Sequence, residues 1–197
     1  MHCFVSAGHG PKSNLEFDPG IVVPWTSGAL AKALRIDAVH DESIEEHGLC
    51  EWIAREMAHA MTKATPVFVP RGSLTEKIAF VNRWSQPGDV AVEIHLNGGA
   101  DGKPQGAETF YAQGSDKGKH LASILHAALA GIGRSPRGSK PDTQSARGKL
   151  GWCRNLKAWA AIVEVGFLTS PIDRTWLFNG GGREAGLALA AAIDGWI

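Results

Sequence analysis

The sequence predicts a single α/β domain with a mainly parallel, twisted sheet that is flanked by helices. Short apolar runs typical of strands alternate with longer segments whose apolar residues recur at helical spacing, and this alternation is typical of a layered α/β domain. The chain has 197 residues, of which 44% are hydrophobic and 20% are charged. That composition is sufficient for one domain with an ordinary core. We find neither an internal repeat nor a low-complexity linker, and we expect residues 1–197 to form one unit.

Strands and helices are assigned along the chain by the period of the apolar residues. Five short runs are predicted as strands, at residues 3–7, 66–69, 90–94, 108–111 and 161–165. Four helices are predicted, over residues 49–61, 74–82, 119–129 and 183–197. Ser73 and Glu76 form the capping-box pattern in front of the second helix. The turn-rich residues 131–149 are predicted as a surface loop, and residues 20–45 are left unassigned.

Composition and charge exclude several classes of protein. Lys+Arg and Asp+Glu both number 20, so the formal net charge is zero, which argues against a nucleic-acid partner. Cys3, Cys50 and Cys153 are odd in number and widely spaced, so we expect neither a disulfide framework nor a cysteine zinc site. No signal peptide and no apolar run of membrane-spanning length is recognised, so we expect cytoplasmic synthesis without membrane insertion.

Polar residues cluster where the predicted strands end. His9 lies between two glycines after the first strand, His95 follows the third strand, and Glu164 lies near the end of the fifth. Ligands in open α/β sheets bind at the carboxyl ends of the strands. Imidazoles and carboxylates suit a hydrolytic zinc site, which keeps one position open for water, and a free carboxylate can serve as general base. We therefore predict His9 and His95 as ligands, one acidic residue of 41–46 as the third ligand, and Glu164 as the base or the rival ligand.

Structural roles compete with this interpretation. A histidine at a strand end is often hydrogen-bonded without binding a metal, Glu164 could pair with an arginine, and the acidic run could be a solvated helix start. The remaining histidines are interpreted as surface or packing residues: His2, His40, His47, His59, His120 and His126. A phosphate site on residues 97–106 is disfavoured because the P-loop pattern is missing.

Four segments together resemble a known family. They are "SAGHG" at residues 6–10, "DPG" at 18–20, "EIHLNGG" at 93–99 and "IVEVGFLTSPIDRTWL" at 162–177. The sequence resembles zinc-dependent N-acetylmuramoyl-L-alanine amidases of the amidase-3 type, which include bacterial cell-wall hydrolases and phage endolysins. Asp173 and Arg154 also match positions of that family. One departure is that "DPG" follows the first histidine instead of preceding it, as in some phage members.

The resemblance implies specific roles for individual residues. His9 and His95 would be zinc ligands, and Glu164 would be the catalytic base. The third ligand would be a glutamate shortly before the first long helix, which the family spacing places at Glu46, with Glu45 as the alternative. One zinc ion per chain is implied. Two further residues are candidate substrate-binding or oxyanion donors: Asn97 and Arg154. The glycines beside His9 are expected to let the backbone approach metal and substrate.

The resemblance also implies a function. The expected reaction is hydrolysis of the amide bond between N-acetylmuramic acid and L-alanine of peptidoglycan. We expect a monomeric catalytic domain, without a cell-wall-binding module, that serves as a phage lysis enzyme and reaches the cell wall or periplasm after release. Two alternatives remain open at this point: a zinc peptidase or deacylase that acts on another amide, and a non-catalytic peptidoglycan-binding relative.

Overall fold

The structure is a computed structural model that describes residues 1–12, 16–24 and 43–196. Its strands are β1 (His2–Ala7), β2 (Gly10–Pro11), β3 (Phe17–Asp18), β4 (Val22–Pro24), β5 (Ser43–Glu45), β6 (Thr65–Phe68), β7 (Val90–Asn97), β8 (Ala107–Tyr111), β9 (Pro136–Pro141) and β10 (Trp159–Phe167). Its helices are α1 (Glu46–Ala60), α2 (Leu74–Trp84), α3 (Asp116–Gly131), α4 (Gly151–Asn155), α5 (Pro171–Trp176) and α6 (Gly182–Asp194). Residues Leu177–Gly181 join α5 to α6 through a kink, where the φ/ψ angles of Asn179 and Gly180 are not helical.

Six strands form the central sheet in the order β6-β1-β7-β10-β8-β9. The first four run parallel to one another, β8 runs antiparallel to β10, and β9 runs parallel to β8. Two short hairpin-like pairs, β2 with β3 and β4 with β5, lie outside this sheet. The predicted α/β class with a mainly parallel sheet and flanking helices is therefore confirmed.

The core consists of two apolar layers, one on each face of the sheet. Strand side chains alternate between the faces, so that Val5, Val92 and Val163 pack with α1, α3 and α6, whereas Phe4 and Ile162 pack with α2 and α4. The carboxyl ends of β1, β7 and β10 are neighbours because these three strands are parallel and adjacent. The predicted site residues at these ends are consequently brought to one edge of the sheet.

The predicted elements are largely confirmed. All five predicted strands and all four predicted helices are present, and both capping-box hydrogen bonds of Ser73 and Glu76 are formed. The helix predicted to residue 197 ends earlier, at Asp194. The short helices α4 and α5 were not predicted. Cys3, Cys50 and Cys153 are free and buried, which agrees with the expectation of no disulfide framework.

The prediction of a surface loop over residues 131–149 is wrong, because this stretch contains β9. The strand includes Pro136, Gly138 and Pro141, residues that are depleted in strands. It lies at the edge of the sheet, where proline is tolerated because the missing N–H is not needed by a further strand. Of the unassigned residues 20–45, those numbered 25–42 lie outside the described residues.

No helix in the described part of the chain is long and apolar enough to cross a membrane.

A buried carboxylate holds the end of β10 in place. Asp173 accepts hydrogen bonds from the backbone N–H groups of Gly106 (2.9 Å) and Phe167 (2.7 Å), and it pairs with the buried guanidinium of Arg134. Charge compensation of this kind is required for a carboxylate that is 1% exposed. Asp173, one of the residues that match the family, thus has a structural role next to the strand that carries Glu164.

A second carboxylate joins the end of α6 to the segment between α1 and β6. Asp194 accepts hydrogen bonds from the backbone N–H groups of Thr62, Lys63 and Ala64 and from the hydroxyl of Thr62, at 2.6 to 3.0 Å. Burial opposes ionisation of this group, but the four hydrogen bonds outweigh it and lower the pKa of Asp194 below its ordinary value. The interaction therefore holds the end of α6 against residues 62–64.

We predict that Asp194→Asn lowers the free energy of unfolding at pH 7 by about 2 kcal/mol, because an amide nitrogen in place of Oδ2 cannot accept the two hydrogen bonds from Thr62, and one in place of Oδ1 cannot accept those from Lys63 and Ala64. The folded-state pKa lies below the unfolded value of about 3.9, so the contribution is present above that pH and is lost as pH falls towards the folded pKa. Urea unfolding of both proteins at pH 7 and pH 3 should show a smaller difference at pH 3. Asp101→Asn, at an exposed carboxylate that pairs with Lys103, is the charge-matched control, and equal differences at both pH values would contradict the prediction.

Candidate metal and catalytic site

His9 directly follows the first strand of the sheet in an unusual backbone conformation. Its φ is 59°, which makes it the only non-glycine residue with positive φ among the described residues. The left-handed region costs an L-residue about 1 kcal/mol or more and is adopted mainly where the surroundings require it. Such strain at a histidine is typical of a functional position rather than of an ordinary turn.

The glycines on either side of His9 are required by neighbouring imidazole rings. A Cβ atom on Gly8 would lie 2.3 Å from Cε1 of His95, and a Cβ atom on Gly10 would lie 2.5 Å from Cε1 of His47. Gly10 also has a φ of 104°. The close approach expected at these glycines is therefore observed, but it is an approach to two histidine rings.

His95 lies near the end of β7 in a row of three polar side chains. In the sheet it pairs in register with Glu164 of β10, and Glu164 pairs in register with Glu108 of β8. Residues at the same register position point to the same face of a sheet. The row therefore faces the side of the sheet that α2 and α4 cover.

Glu46 is the first residue of α1, and its side chain points back towards both histidines. Oε1 lies 3.0 Å from Nδ1 of His95, and Oε2 lies 3.4 Å from Nε2 of His9. The carboxylate also accepts hydrogen bonds from the N–H groups of Ile21 (3.0 Å) and Leu96 (3.1 Å). A negative charge is also favourable at a helix N-terminus, so the helix and the N–H groups of Ile21 and of Leu96 in β7 all stabilise the ionised form.

These three residues fit a metal ion. His9, Glu46 and His95 each offer one ligand atom, and the three atoms lie within 4.8 Å of one another. Two imidazoles and one carboxylate form the donor set of hydrolytic zinc sites. Glu45, the alternative third ligand, does not belong to this group; it lies in β5, where it pairs with Val22.

The electrostatics of the three residues are coupled. Burial raises the pKa of Glu46, but hydrogen bonds and the charges of His9 and His95 outweigh burial and hold it well below its usual range. Burial lowers the pKa values of both histidines, but the carboxylates around them outweigh this effect, and both values are raised. The arrangement thus places a negative charge between the two imidazole rings.

Glu164 has the opposite electrostatic environment. Burial, with smaller contributions from the negative charges of Glu46 and Glu108, raises its pKa to about 7, although His95 acts against this shift. Its Oε2 atom is buried and has no hydrogen-bond partner among the described residues. The ion pair with an arginine that was considered for Glu164 is not seen in the described part of the chain.

A cavity of about 800 Å³ opens over these residues. Its lining includes His9, Glu46, His95 and Glu164. Five cationic side chains also line it: Lys12, Lys77, Arg137, Lys140 and Arg147. Five carboxylates line it as well, and Lys77, Arg137 and Lys140 pair with two of them, Glu93 and Glu108. The lining is therefore mixed in charge, and the cavity has a size common for small-molecule sites.

The two candidate substrate-binding residues differ in position. Asn97 lines the cavity, where its Nδ2 donates to Oε1 of Glu108 at 2.7 Å. Arg154 is not part of the cavity lining; its Nη2 donates to Oδ1 of Asp142 at 2.8 Å. Asp142 also accepts hydrogen bonds from the backbone N–H groups of Gln113 and Leu150. The structure therefore places Arg154 in a contact that holds the loop after β9.

Two carboxylates next to the histidines were missed by sequence reasoning. Oδ2 of Asp18 lies 3.0 Å from Nδ1 of His9, and Oε2 of Glu93 lies 3.3 Å from Nε2 of His95. A signal for Glu93 was available, because residues two apart on a strand share a face. Asp18 was noted only as part of its tripeptide.

Four of the other described histidines have structural contacts, and His59 is exposed on α1. Nδ1 of the buried His47 donates to the carbonyl of Gly8 at 3.0 Å, and Nε2 of His126 accepts from the N–H of Gly138. His2 pairs with Asp89, and His120 packs on Trp196. His40 lies outside the described residues.

Comparison with known proteins identifies relatives of the chain. A sequence model of the family described as N-acetylmuramoyl-L-alanine amidase matches residues 4–194. No significant match is found among curated proteins. The solved structures that resemble the chain include an N-acetylmuramoyl-L-alanine amidase from Clostridium difficile 630, with 20% identity, a TM-score of 0.77 and coverage of 99% of this chain and 95% of that one.

Two further solved structures share the fold. The catalytic domain of CwlV, an N-acetylmuramoyl-L-alanine amidase from Bacillus (Paenibacillus) polymyxa var. colistinus, is 20% identical with a TM-score of 0.74, and the alignment covers 100% of this chain and 98% of that one. The catalytic domain of the CD27L endolysin, which targets Clostridia difficile, is 18% identical with a TM-score of 0.68, and the alignment covers 98% and 96%. At these identities the likeness establishes the fold alone.

We predict that Gly8→Ala weakens zinc binding by on the order of tenfold or more, because the added Cβ displaces the His95 ring from Glu46. The affinity is measured by competition with a chromophoric chelator, and circular dichroism checks the fold. Gly131→Ala is the matched control, since a Cβ atom at Gly131 meets no atom within 4 Å. Equal zinc affinity of the Gly8→Ala variant and the wild type would show that His95 is not a ligand in this position.

Proposed function

The chain belongs to the N-acetylmuramoyl-L-alanine amidase family, and we propose that it hydrolyses the amide bond between N-acetylmuramic acid and L-alanine in peptidoglycan with one bound zinc ion. One observation carries this proposal. Three potential ligand atoms from His9, Glu46 and His95 and an unpartnered carboxylate oxygen of Glu164 line the same cavity. That combination supplies both a metal site and a base.

The zinc ligands in this proposal are Nε2 of His9, Nδ1 of His95 and the carboxylate of Glu46, because these are the atoms that face one another. When bound, zinc polarises the amide carbonyl and lowers the pKa of the attacking water. Glu46 is held by two backbone N–H groups and cannot rotate away without leaving both unsatisfied. The carboxylate is therefore preorganised for its role.

Glu164 is proposed as the general base and acid. Its carboxylate takes a proton from the attacking water and returns it to the amide nitrogen, which leaves as the amine of L-alanine. A pKa of about 7, raised mainly by burial, suits both halves of this transfer near neutral pH. A zinc ion bound beside Glu46 would lower the pKa of Glu164 and so favour the ionised carboxylate, which is the form that takes the proton from water.

Asn97 is proposed to contact the substrate at the rim of the site. Its side chain lines the cavity and is fixed at both ends, since Nδ2 donates to Glu108 and Oδ1 accepts from the N–H of Gly98. A rigid amide adjacent to His95 is positioned to help orient the scissile bond. For Arg154 we propose support of the loop through Asp142.

We propose a biological role in phage lysis. The tripeptide Asp18-Pro19-Gly20 follows the first histidine, as in some phage members of the family, and its Asp18 contacts His9. The test uses Gram-negative cells whose membranes have been permeabilised, to which the protein is added. Lysis by the wild type and none by Glu164→Gln supports the role, whereas intact cells with active enzyme on purified peptidoglycan would argue for another role.

We predict that Glu164→Gln loses more than about a hundredfold in turnover while it retains zinc, because an amide cannot take the proton from water. Purified peptidoglycan is digested, and the products are separated and weighed by mass spectrometry. Wild-type digestion should release stem peptides with a new L-alanine amino terminus. The isosteric change removes only the base, so metal content serves as the internal control.

Other products would point to other functions. New reducing sugar ends without new amino termini would indicate a glycosidase, and cleavage within the stem peptide would indicate a peptidase. Binding of peptidoglycan at full zinc occupancy without release of any peptide would indicate a binding protein. Full activity of Glu164→Gln would remove Glu164 from the role of base.

We predict that Glu46→Ala abolishes stoichiometric zinc binding, whereas Glu45→Ala retains about one zinc per chain, because only Glu46 faces both histidines. Zinc content after dialysis is measured by atomic emission for the wild type and both variants. The two substitutions are adjacent in sequence and remove the same group, so each serves as the control for the other. Loss confined to Glu45→Ala would transfer the ligand role to that residue.

A further inference from the structure

The proposed zinc site uses one nitrogen of each histidine and leaves the other one facing away from Glu46. Nε2 of His9 and Nδ1 of His95 face the Glu46 carboxylate at 3.4 and 3.0 Å. Nδ1 of His9 and Nε2 of His95 are the opposite ring atoms. A neutral imidazole carries its proton on one nitrogen only, so the partner of the opposite nitrogen decides whether the inner nitrogen can bind a metal.

Both opposite nitrogens face a carboxylate. Nδ1 of His9 lies 3.0 Å from Oδ2 of Asp18, and Nε2 of His95 lies 3.3 Å from Oε2 of Glu93. These distances are at or near the range of a hydrogen bond from an imidazole N–H to a carboxylate oxygen. His9 follows β1 and His95 lies in β7, yet the same arrangement is built around each of them.

We propose that Asp18 and Glu93 are positioning residues of the zinc site, each of which accepts the N–H of one histidine and thereby leaves the inner nitrogen unprotonated for the metal. The inference rests on the proposed function for the identity of the ion. Carboxylates in this outer position orient ligand histidines and increase their basicity. Asp18 thus acts through His9, and Glu93 acts through His95.

The position of Asp18 is set by the pairing of β2 with β3. Gly10 pairs in register with Asp18, so β3 lies antiparallel beside β2 and brings the carboxylate to the His9 ring. Oδ1 of Asp18 accepts the N–H of Gly20 at 3.0 Å, which leaves Oδ2 for His9. The pairing of β2 with β3 therefore holds Asp18 next to the proposed ligand His9, although the side chain of Asp18 is 41% exposed.

The position of Glu93 is set by the alternation of β7 and by two buried donors. Glu93 precedes His95 by two residues and lies on the same face of the strand. Its Oε1 accepts from Oγ of Ser6 at 3.2 Å and from Nζ of Lys77 at 3.3 Å, which leaves Oε2 for His95. Lys77 also donates to the carbonyl of Ala7 at 2.6 Å, and so it ties the end of β1 to this carboxylate.

The two carboxylates should differ in the size of their effect. Glu93 is 4% exposed, so its contact with His95 is little weakened by solvent, whereas Asp18 is in part solvated. We expect removal of the Glu93 charge to reduce zinc affinity more than removal of the Asp18 charge. A purely structural role would not produce this order together with a change in the histidine protonation site.

The first test determines the tautomers directly. Protein labelled with 15N at histidine and loaded with zinc is studied by long-range 1H–15N correlation, with His9 assigned by comparison with Asp18→Asn. The expected result is a proton on Nδ1 of His9 and on Nε2 of His95. Protons on the inner nitrogens, or histidines that bind zinc through the outer ones, would overturn the proposal. This measurement uses the wild type and does not depend on the stability of a variant.

The second test measures zinc affinity of Asp18→Asn and Glu93→Gln by chelator competition. Both should bind zinc about tenfold to a hundredfold more weakly, as expected for loss of an outer carboxylate. Ser6→Ala, which removes a contact of Glu93 but not the one to His95, and the exposed Asp101→Asn are controls that should stay within about twofold. Wild-type affinity in both carboxylate variants would overturn the proposal. This holds even if Glu93→Gln is less stable because Lys77 loses the negative charge with which it pairs.

Neither test uses peptidoglycan, so the two proposals can fail separately. The expected tautomers and affinities in a protein that releases no stem peptide would contradict the proposed function and leave the positioning roles intact. Amidase activity with unchanged zinc affinity in both variants would contradict the positioning roles and leave the proposed function intact.

Discussion

The carboxylate of Glu46 is the group on which the rest of the site depends. It is 2% exposed, and a buried anion is stable only when its surroundings compensate the charge. That compensation comes from the backbone N–H groups of Ile21 and Leu96 and from the rings of His9 and His95. The start of α1, the loop after β3 and the ends of two strands therefore meet at one side chain.

The charge of Glu46 also contributes to the difference in pKa between the two glutamates in the cavity. The histidines hold the pKa of Glu46 down, whereas burial and the neighbouring negative charges of Glu46 and Glu108 raise that of Glu164. Two carboxylates with opposite proton affinities can divide the work between metal binding and proton transfer. The difference in pKa follows from position in the fold, because the isolated side chains have the same chemistry.

Local sequence patterns were sufficient to predict the strands whose ends hold the candidate site residues. The runs that end near His9, His95 and Glu164 have the composition and length of buried strands, and adjacent parallel strands bring their ends together. Glu46 followed from the family spacing and not from the local pattern, which left the acidic run open. Edge strand β9 escaped prediction because its prolines and glycine resemble a loop, and only pairing with β8 makes it a strand.

The sequence by itself determined the α/β class, the order of the main elements and the residues that stand at the strand ends, because these depend on periodicity along the chain. Only the tertiary structure decided that Glu46 faces both rings, that Asp18 and Glu93 lie behind them, and that Arg154 pairs with Asp142. Apart from the contact of Glu93, which strand alternation places on the same face as His95, these contacts join residues that are distant in sequence or meet through the pairing of β2 with β3. They depend on strand register and on the direction in which α1 begins, which no local pattern encodes.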